Sequence, residues 1–138
     1  MRLDRVLYSS VHYPTDYGFI TGTLALDGDA LDALVVVDEP TFPGCHVIAR
    51  PIGVLDMRDE KGIDAKLICV LEHDPQWDGA CDIDDVPEHL RNEIAHFFSI
   101  YKDLEPEKST DVRGFEDRSG ALAELASCRE SYRATAVD

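Results

Sequence analysis

The hydrophobic pattern changes period once along this chain, and that change limits its fold more than any other feature. Through residue 71 the apolar residues come in short β-branched runs at 17–26, 33–37, 46–57 and 63–71, punctuated by Asp-Gly, Pro-Gly and Lys-Gly. Runs of this kind between turn residues read as strands. The last two are joined through Asp59-Glu60-Lys61-Gly62, a hairpin turn that places Asp59 and Asp64 near each other at one end of a sheet. From residue 90 the spacing becomes helical: Leu90, Ile94, Phe97, Phe98 and Tyr101 follow at intervals of four, three, one and three. Pro87 suits the first turn of that helix, and Asp84 or Asp85 suits its cap. A second helix is expected after Ser119, with Leu122, Leu125, Ala126 and Tyr132 turned inward. Strands followed by helices, rather than alternating with them, predict an α+β domain: a small barrel with helices packed on it.

Length bears on domain count. At 138 residues and 44% hydrophobic, residues 1–138 suit one domain with a core large enough to need no disulfides. The four cysteines are scattered, without a C-x-x-C pair or a histidine at zinc-ligand spacing. No run approaches the ~20 apolar residues of a membrane span, and no apolar stretch follows a basic start. The expected setting is cytoplasmic, with reduced thiols. Charge then narrows the partners. With 28 acidic and 13 basic residues the formal net charge is −15, which repels nucleic acid and anionic membranes and attracts cations.

The acids are clustered. Asp27, Asp29 and Asp32 fall within six residues at a Gly-containing turn, where they repel one another unless a cation sits among them. Hard divalent ions favour such oxygens, although an EF-hand is excluded because its Gly at position six and Glu at position twelve are missing. Taken alone, the segment reads more readily as a solvated acidic turn, since Asp and Gly are ordinary turn residues. Asp59, Glu60 and Asp64 form a second cluster, followed by Lys66. Asp64 and Lys66, two apart on a strand, share a face and can serve a metal and an anion together, or form a plain surface ion pair. Arg5, Tyr13, Tyr17, Tyr101 and Lys102 add cations and hydroxyls that suit phosphate. Carboxylates for metal beside donors for phosphate are what a metal-dependent phosphoryl-transfer site requires.

These blocks resemble the family I soluble inorganic pyrophosphatases. The resemblance rests on Tyr13-Pro-Thr-Asp-Tyr17-Gly, on the spaced Asp27-Gly-Asp29-Ala-Leu-Asp32, on Arg50 through Glu60, on Asp64-Ala-Lys66, and on His96 through Glu105. It runs in order over nearly the whole chain. It implies a closed five-stranded OB-type β-barrel with two C-terminal helices, and hydrolysis of pyrophosphate to two phosphates by a metal-activated water. By position, Asp27, Asp32 and Asp64 match the ligands of the two metals that flank the water. Asp29 matches the general base. Asp59, with Asp64, matches ligands of a further metal that arrives with substrate. Arg5, Tyr17, Lys66, Tyr101 and Lys102 match the phosphate-binding groups. Mg²⁺ is the implied cofactor, with Mn²⁺ as a substitute, and a homohexamer the implied assembly.

Ala30 stands where the family usually has proline, and Phe115 where a tryptophan is common. Family members also carry several tens of residues ahead of the position of Arg5, forming a strand hairpin with one phosphate-binding lysine and two metal-associated glutamates. Relative to such a chain, lower stability and much reduced activity are expected. The alternative reading is a weakly active or inactive family member that binds metal or joins a hetero-oligomer. An OB-type nucleic-acid binder is opposed by the net charge of −15.

Overall fold

The computed structural model describes residues 13–136. Six strands form one mixed sheet: β1 (Asp16–Phe19), β2 (Asp32–Val36), β3 (Ala49–Asp59), β4 (Gly62–Ile63), β5 (Lys66–Leu71) and β6 (Thr110–Glu116). Among the described residues two α-helices accompany the sheet, α1 (Glu88–Ile100) and α2 (Arg118–Ala136). The strand order is β1-β2-β5-β3-β4, and β6 also pairs with β3. All pairings are antiparallel except β2 with β5, which run parallel with Asp32 opposite Lys66. The expected α+β class and the two helices are present, and β4 is just two residues long. Among the described residues no hydrogen-bonded ladder joins β1 to β6.

β3 organises the sheet because it pairs with three other strands. Its first half lies against β5 and its second half against β6, with register shifts at Pro51/Gly53 and Asp56/Met57. Such bulges bend and twist a strand, which lets one long element turn a corner. Alternation along the strands then separates two cores. Leu34, Val36, Leu55, Met57, Ile68 and Val70 face Ile94, Phe97 and Phe98 of α1. Ala33, Val54, Leu67 and Cys69 face the other way, against Ala121, Leu125 and Cys128 of α2. At the start of β3, Arg50 donates to the backbone carbonyls of Glu72, Trp77, Asp78 and Ala80, fixing the loop beyond β5. No helix among the described residues is long and apolar enough to cross a membrane.

Several local expectations need correction. The run 17–26 is a strand only as far as Phe19; at Thr21-Gly22 the chain turns through a glycine at φ +69°. The run 63–71 is broken at Asp64-Ala65 into β4 and β5. Asp84 and Asp85 do not cap α1. They lie in a separate 3-10 turn, Ile83–Asp85, capped by Asp82, whereas α1 starts after Pro87 with no side-chain cap. Leu122, Ala126 and Tyr132 of α2 are exposed, because the buried stripe is Ala121, Leu125 and Cys128. β6 was not foreseen: its pattern is weakly alternating, and Gly114 at φ +122° interrupts it at the bulge opposite Asp56 and Met57.

Candidate active site

The hairpin turn forms as expected, with Asp59 paired to Gly62 and its Oδ1 accepting from the Lys61 amide at 2.8 Å. Beyond it the Asp64 amide donates to the Met57 carbonyl at 3.0 Å, which fixes Asp64 beside the end of β3. The parallel pairing of β2 and β5 adds Asp32 next to Lys66. Three separate pieces of sequence thus meet at one end of the sheet.

Lys66 is the hub. Only 1% exposed, it donates from Nζ to Asp32 Oδ2 at 2.8 Å and to both Asp64 oxygens at 3.2 Å. Its ammonium lies 5.3 Å from the Tyr17 ring centroid and 5.4 Å from that of Phe98, close enough for a cation–π contribution. Tyr17 is 42% exposed, yet its hydroxyl reaches inward to 3.3 Å from Lys66 Nζ. Burial, and then the charges of Asp32 and Asp64, hold the Tyr17 phenol far above its ordinary value, so it stays a neutral donor. Burial also raises Asp64, against the pull of Lys66 and with the repulsion of Asp32 and Asp59. These are carboxylates that a further cation would stabilise.

A second lysine lies nearby. Lys102, just past the C-terminal end of α1, is 6% exposed, and its Nζ lies 3.5 Å from Asp59 Oδ2 and 3.6 Å from Glu60 Oε2. Lys108 meets the other Glu60 oxygen at 3.1 Å. Burial acts to raise Glu60, but its backbone amide and the two lysines win and hold it down to about 2. Tyr101 is buried at the helix end against Phe97 and Phe98, and its ring lies 5.4 Å from Lys102 Nζ.

The turn with Asp27 and Asp29 forms the rim. Gly28 has φ +90°, a backbone region that L side chains rarely adopt, and Asp27 Oδ1 accepts from the Asp29 amide at 2.9 Å. Asp27, Asp32 and Asp64 line one recess together with Glu124 of α2. Asp29 stands at the exposed tip and does not line that recess. Arg5 lies outside the described residues. Glu124, Phe98 and Lys108 are site neighbours that sequence reasoning missed; helical spacing had marked Phe98 only as core. Among the described residues no three His, Cys, Asp or Glu side chains are already gathered at metal-binding geometry. The donors are nonetheless all carboxylate oxygens, which fit a hard divalent ion that keeps several waters and needs few protein ligands.

Fold and site together define a barrel-type α+β protein with a cleft of carboxylates interleaved with buried lysines. The profile of the family described as inorganic pyrophosphatase matches residues 1–133. The inorganic pyrophosphatase of Methanosarcina mazei is 48% identical over 132 residues, covering 96% of this chain and 78% of the relative. That of Streptomyces coelicolor is 54% identical over 125 residues, covering 91% and 77%. The crystal structure of the Thermus thermophilus inorganic pyrophosphatase superposes with a TM-score of 0.92 at 49% identity, covering 96% of this chain and 77% of that one. The Helicobacter pylori enzyme gives a TM-score of 0.92 at 45% identity, covering 95% and 78%. The chain belongs to the inorganic pyrophosphatase family.

Proposed function

We propose that this chain hydrolyses inorganic pyrophosphate to two phosphates with Mg²⁺ as cofactor, Mn²⁺ serving as a substitute. The observation that carries the reading is the interleaving at one end of the sheet, where Lys66 and Lys102 sit between Asp32, Asp64 and Asp59. Pyrophosphate is a compact polyanion, and its hydrolysis depends on charge neutralisation and positioning. In this reading Asp27, Asp32, Asp59 and Asp64 hold the cations. A divalent ion held there would offset phosphate charge and would lower the proton affinity of the attacking water. Asp29, exposed at the tip of its turn, accepts that proton. Lys66, Lys102, Tyr17 and Tyr101 orient the phosphate oxygens, with Arg5 assigned the same role. Lys66, bonded to Asp32 and Asp64, is the ammonium that would meet a phosphate oxygen if a cation took over the compensation of those carboxylates.

The family resemblance further supports a homohexamer, which sedimentation velocity tests. Phosphate release by the purified chain, with Mg²⁺ and with EDTA, tests the activity. The expected result is Mg²⁺-dependent release that falls about a hundredfold or more in Asp29→Asn. A folded chain that releases no phosphate overturns the activity, and an Asp29→Asn variant with unchanged turnover overturns the assigned base.

A further inference from the structure

The two buried lysines are held in different ways. Lys66 makes a 2.8 Å hydrogen bond to Asp32, whereas Lys102 approaches its carboxylates only to 3.5 and 3.6 Å. Both of the latter distances exceed the roughly 3.2 Å of an ordinary N–H···O bond. Asp59 accepts only a long hydrogen bond from Lys102 and Glu60 lies beyond hydrogen-bond range, so the ammonium is held largely by charge and keeps N–H capacity for another acceptor. Glu60 explains how this state persists. Its carboxylate is shared, with Oε2 toward Lys102 and Oε1 in a shorter 3.1 Å contact with Lys108. The side chains of Lys102, Glu60 and Lys108 are 7%, 21% and 34% exposed, so the row runs outward from the site. Lys108 is the cation that draws the Glu60 carboxylate away from Lys102, beside the hydrogen bond from the Glu60 backbone amide.

We infer that Glu60 and Lys108 are positioning residues. Lys108 draws the Glu60 carboxylate outward, so that Lys102 stays held but unconsumed and ready for a phosphate oxygen. The inference rests on the phosphate-binding role proposed for Lys102. Neither residue touches substrate in it: Lys108 acts on phosphate only through Glu60.

A double-mutant cycle on the full chain tests this, with KM for pyrophosphate, kcat and the affinity for inorganic phosphate in Mg²⁺ as readouts. Lys108→Gln is expected to raise KM and weaken phosphate binding about threefold to fivefold, the scale of a partly exposed ion pair. Lys108→Arg keeps the charge and is expected to stay near wild type. Glu60→Gln removes a negative charge beside Lys102 and is expected to tighten phosphate binding while lowering kcat. In the Glu60→Gln background, Lys108→Gln is expected to have no further effect on KM. An equal effect of Lys108→Gln in both backgrounds overturns the inference, as does phosphate binding that neither single variant alters. Glu60→Asp, too short to bridge both lysines, provides the second background should the glutamine variant not fold. Wild-type turnover separates the two levels: a wild type without activity fails the proposed function, whereas an active wild type without coupling fails only this inference.

Discussion

Lys66 places a full charge where only 1% of the residue meets solvent, and two carboxylates depend on it. Removing one partner of a buried ion pair leaves the rest uncompensated, a loss that reaches about 3–5 kcal/mol when every member is buried. Asp32 is 23% exposed, so solvent screens part of that loss. Lys66→Met is accordingly expected to destabilise the metal-free chain by about 2 kcal/mol, read by urea unfolding in EDTA. Unchanged stability would show that the ammonium does not compensate the pair. The buried thiols give a second residue-scale expectation. Burial pushes Cys69 up to about 12; for Cys128, burial and then the neighbouring Glu124 push it up to about 11. Both are raised in the folded state, so their contribution is complete below the unfolded thiol value, near 9, and is lost as pH rises through 11 and 12. The unfolded chain releases protons there that the folded chain keeps. Stability should decline above about pH 9, and Cys69→Ala/Cys128→Ala should decline less steeply in parallel thermal melts.

At the scale of elements, the site depends on the course of β3. This strand leaves β5, joins β6 and ends at Asp59, so its bulges decide where Asp59 points. Gly53 at the first bulge has no room for a side chain. An added Cβ would lie 2.7 and 2.9 Å from Ile83 side-chain atoms and 3.0 Å from the Glu116 carbonyl oxygen. Gly53→Ala is therefore expected to cost about 1–3 kcal/mol, seen as a lower Tm, because backbone and packed side chains cannot move aside freely. A Tm equal to wild type would show that the 3-10 turn at Ile83–Asp85 yields easily. α2 acts on the site from behind: the Leu24 amide donates to the Cys128 carbonyl at 2.9 Å, and Leu31 packs among Ala121, Leu125 and Cys128. The turn bearing Asp27 and Asp29 is thereby tied to a helix far from it in sequence.

For the whole molecule, the net charge of −15 means that compactness is opposed by self-repulsion, most strongly where acids cluster. A ligand that binds only the folded state adds stability by mass action, about 2.7 kcal/mol at a hundredfold excess over Kd. Mg²⁺ is expected to raise Tm well beyond NaCl of equal ionic strength, and EDTA to reverse the gain. Asp64→Asn should shrink the Mg²⁺-specific part. Equal stabilisation by both salts would indicate general screening alone.

Local chemistry made much of this legible. The turn at Glu60-Lys61, the strand positions 33–36 and the helix carrying Phe97, Phe98 and Tyr101 follow from spacings within a few residues. Short-range periodicity and turn preference decide such features, so a single sequence displays them. The family was legible as well, because its motifs recur at matching spacing. The pairing of β2 with β5, the outward face of Leu122 and Tyr132, the strand β6 and the row from Lys102 through Glu60 to Lys108 were not. Each depends on contacts between segments distant in sequence, where burial and pairing override local preference. The sequence alone determined which side chains were available for cation and phosphate. Tertiary structure decided which of them meet, since a parallel ladder and a bent strand bring Asp32, Asp59, Asp64, Lys66 and Lys102 to one end of one sheet.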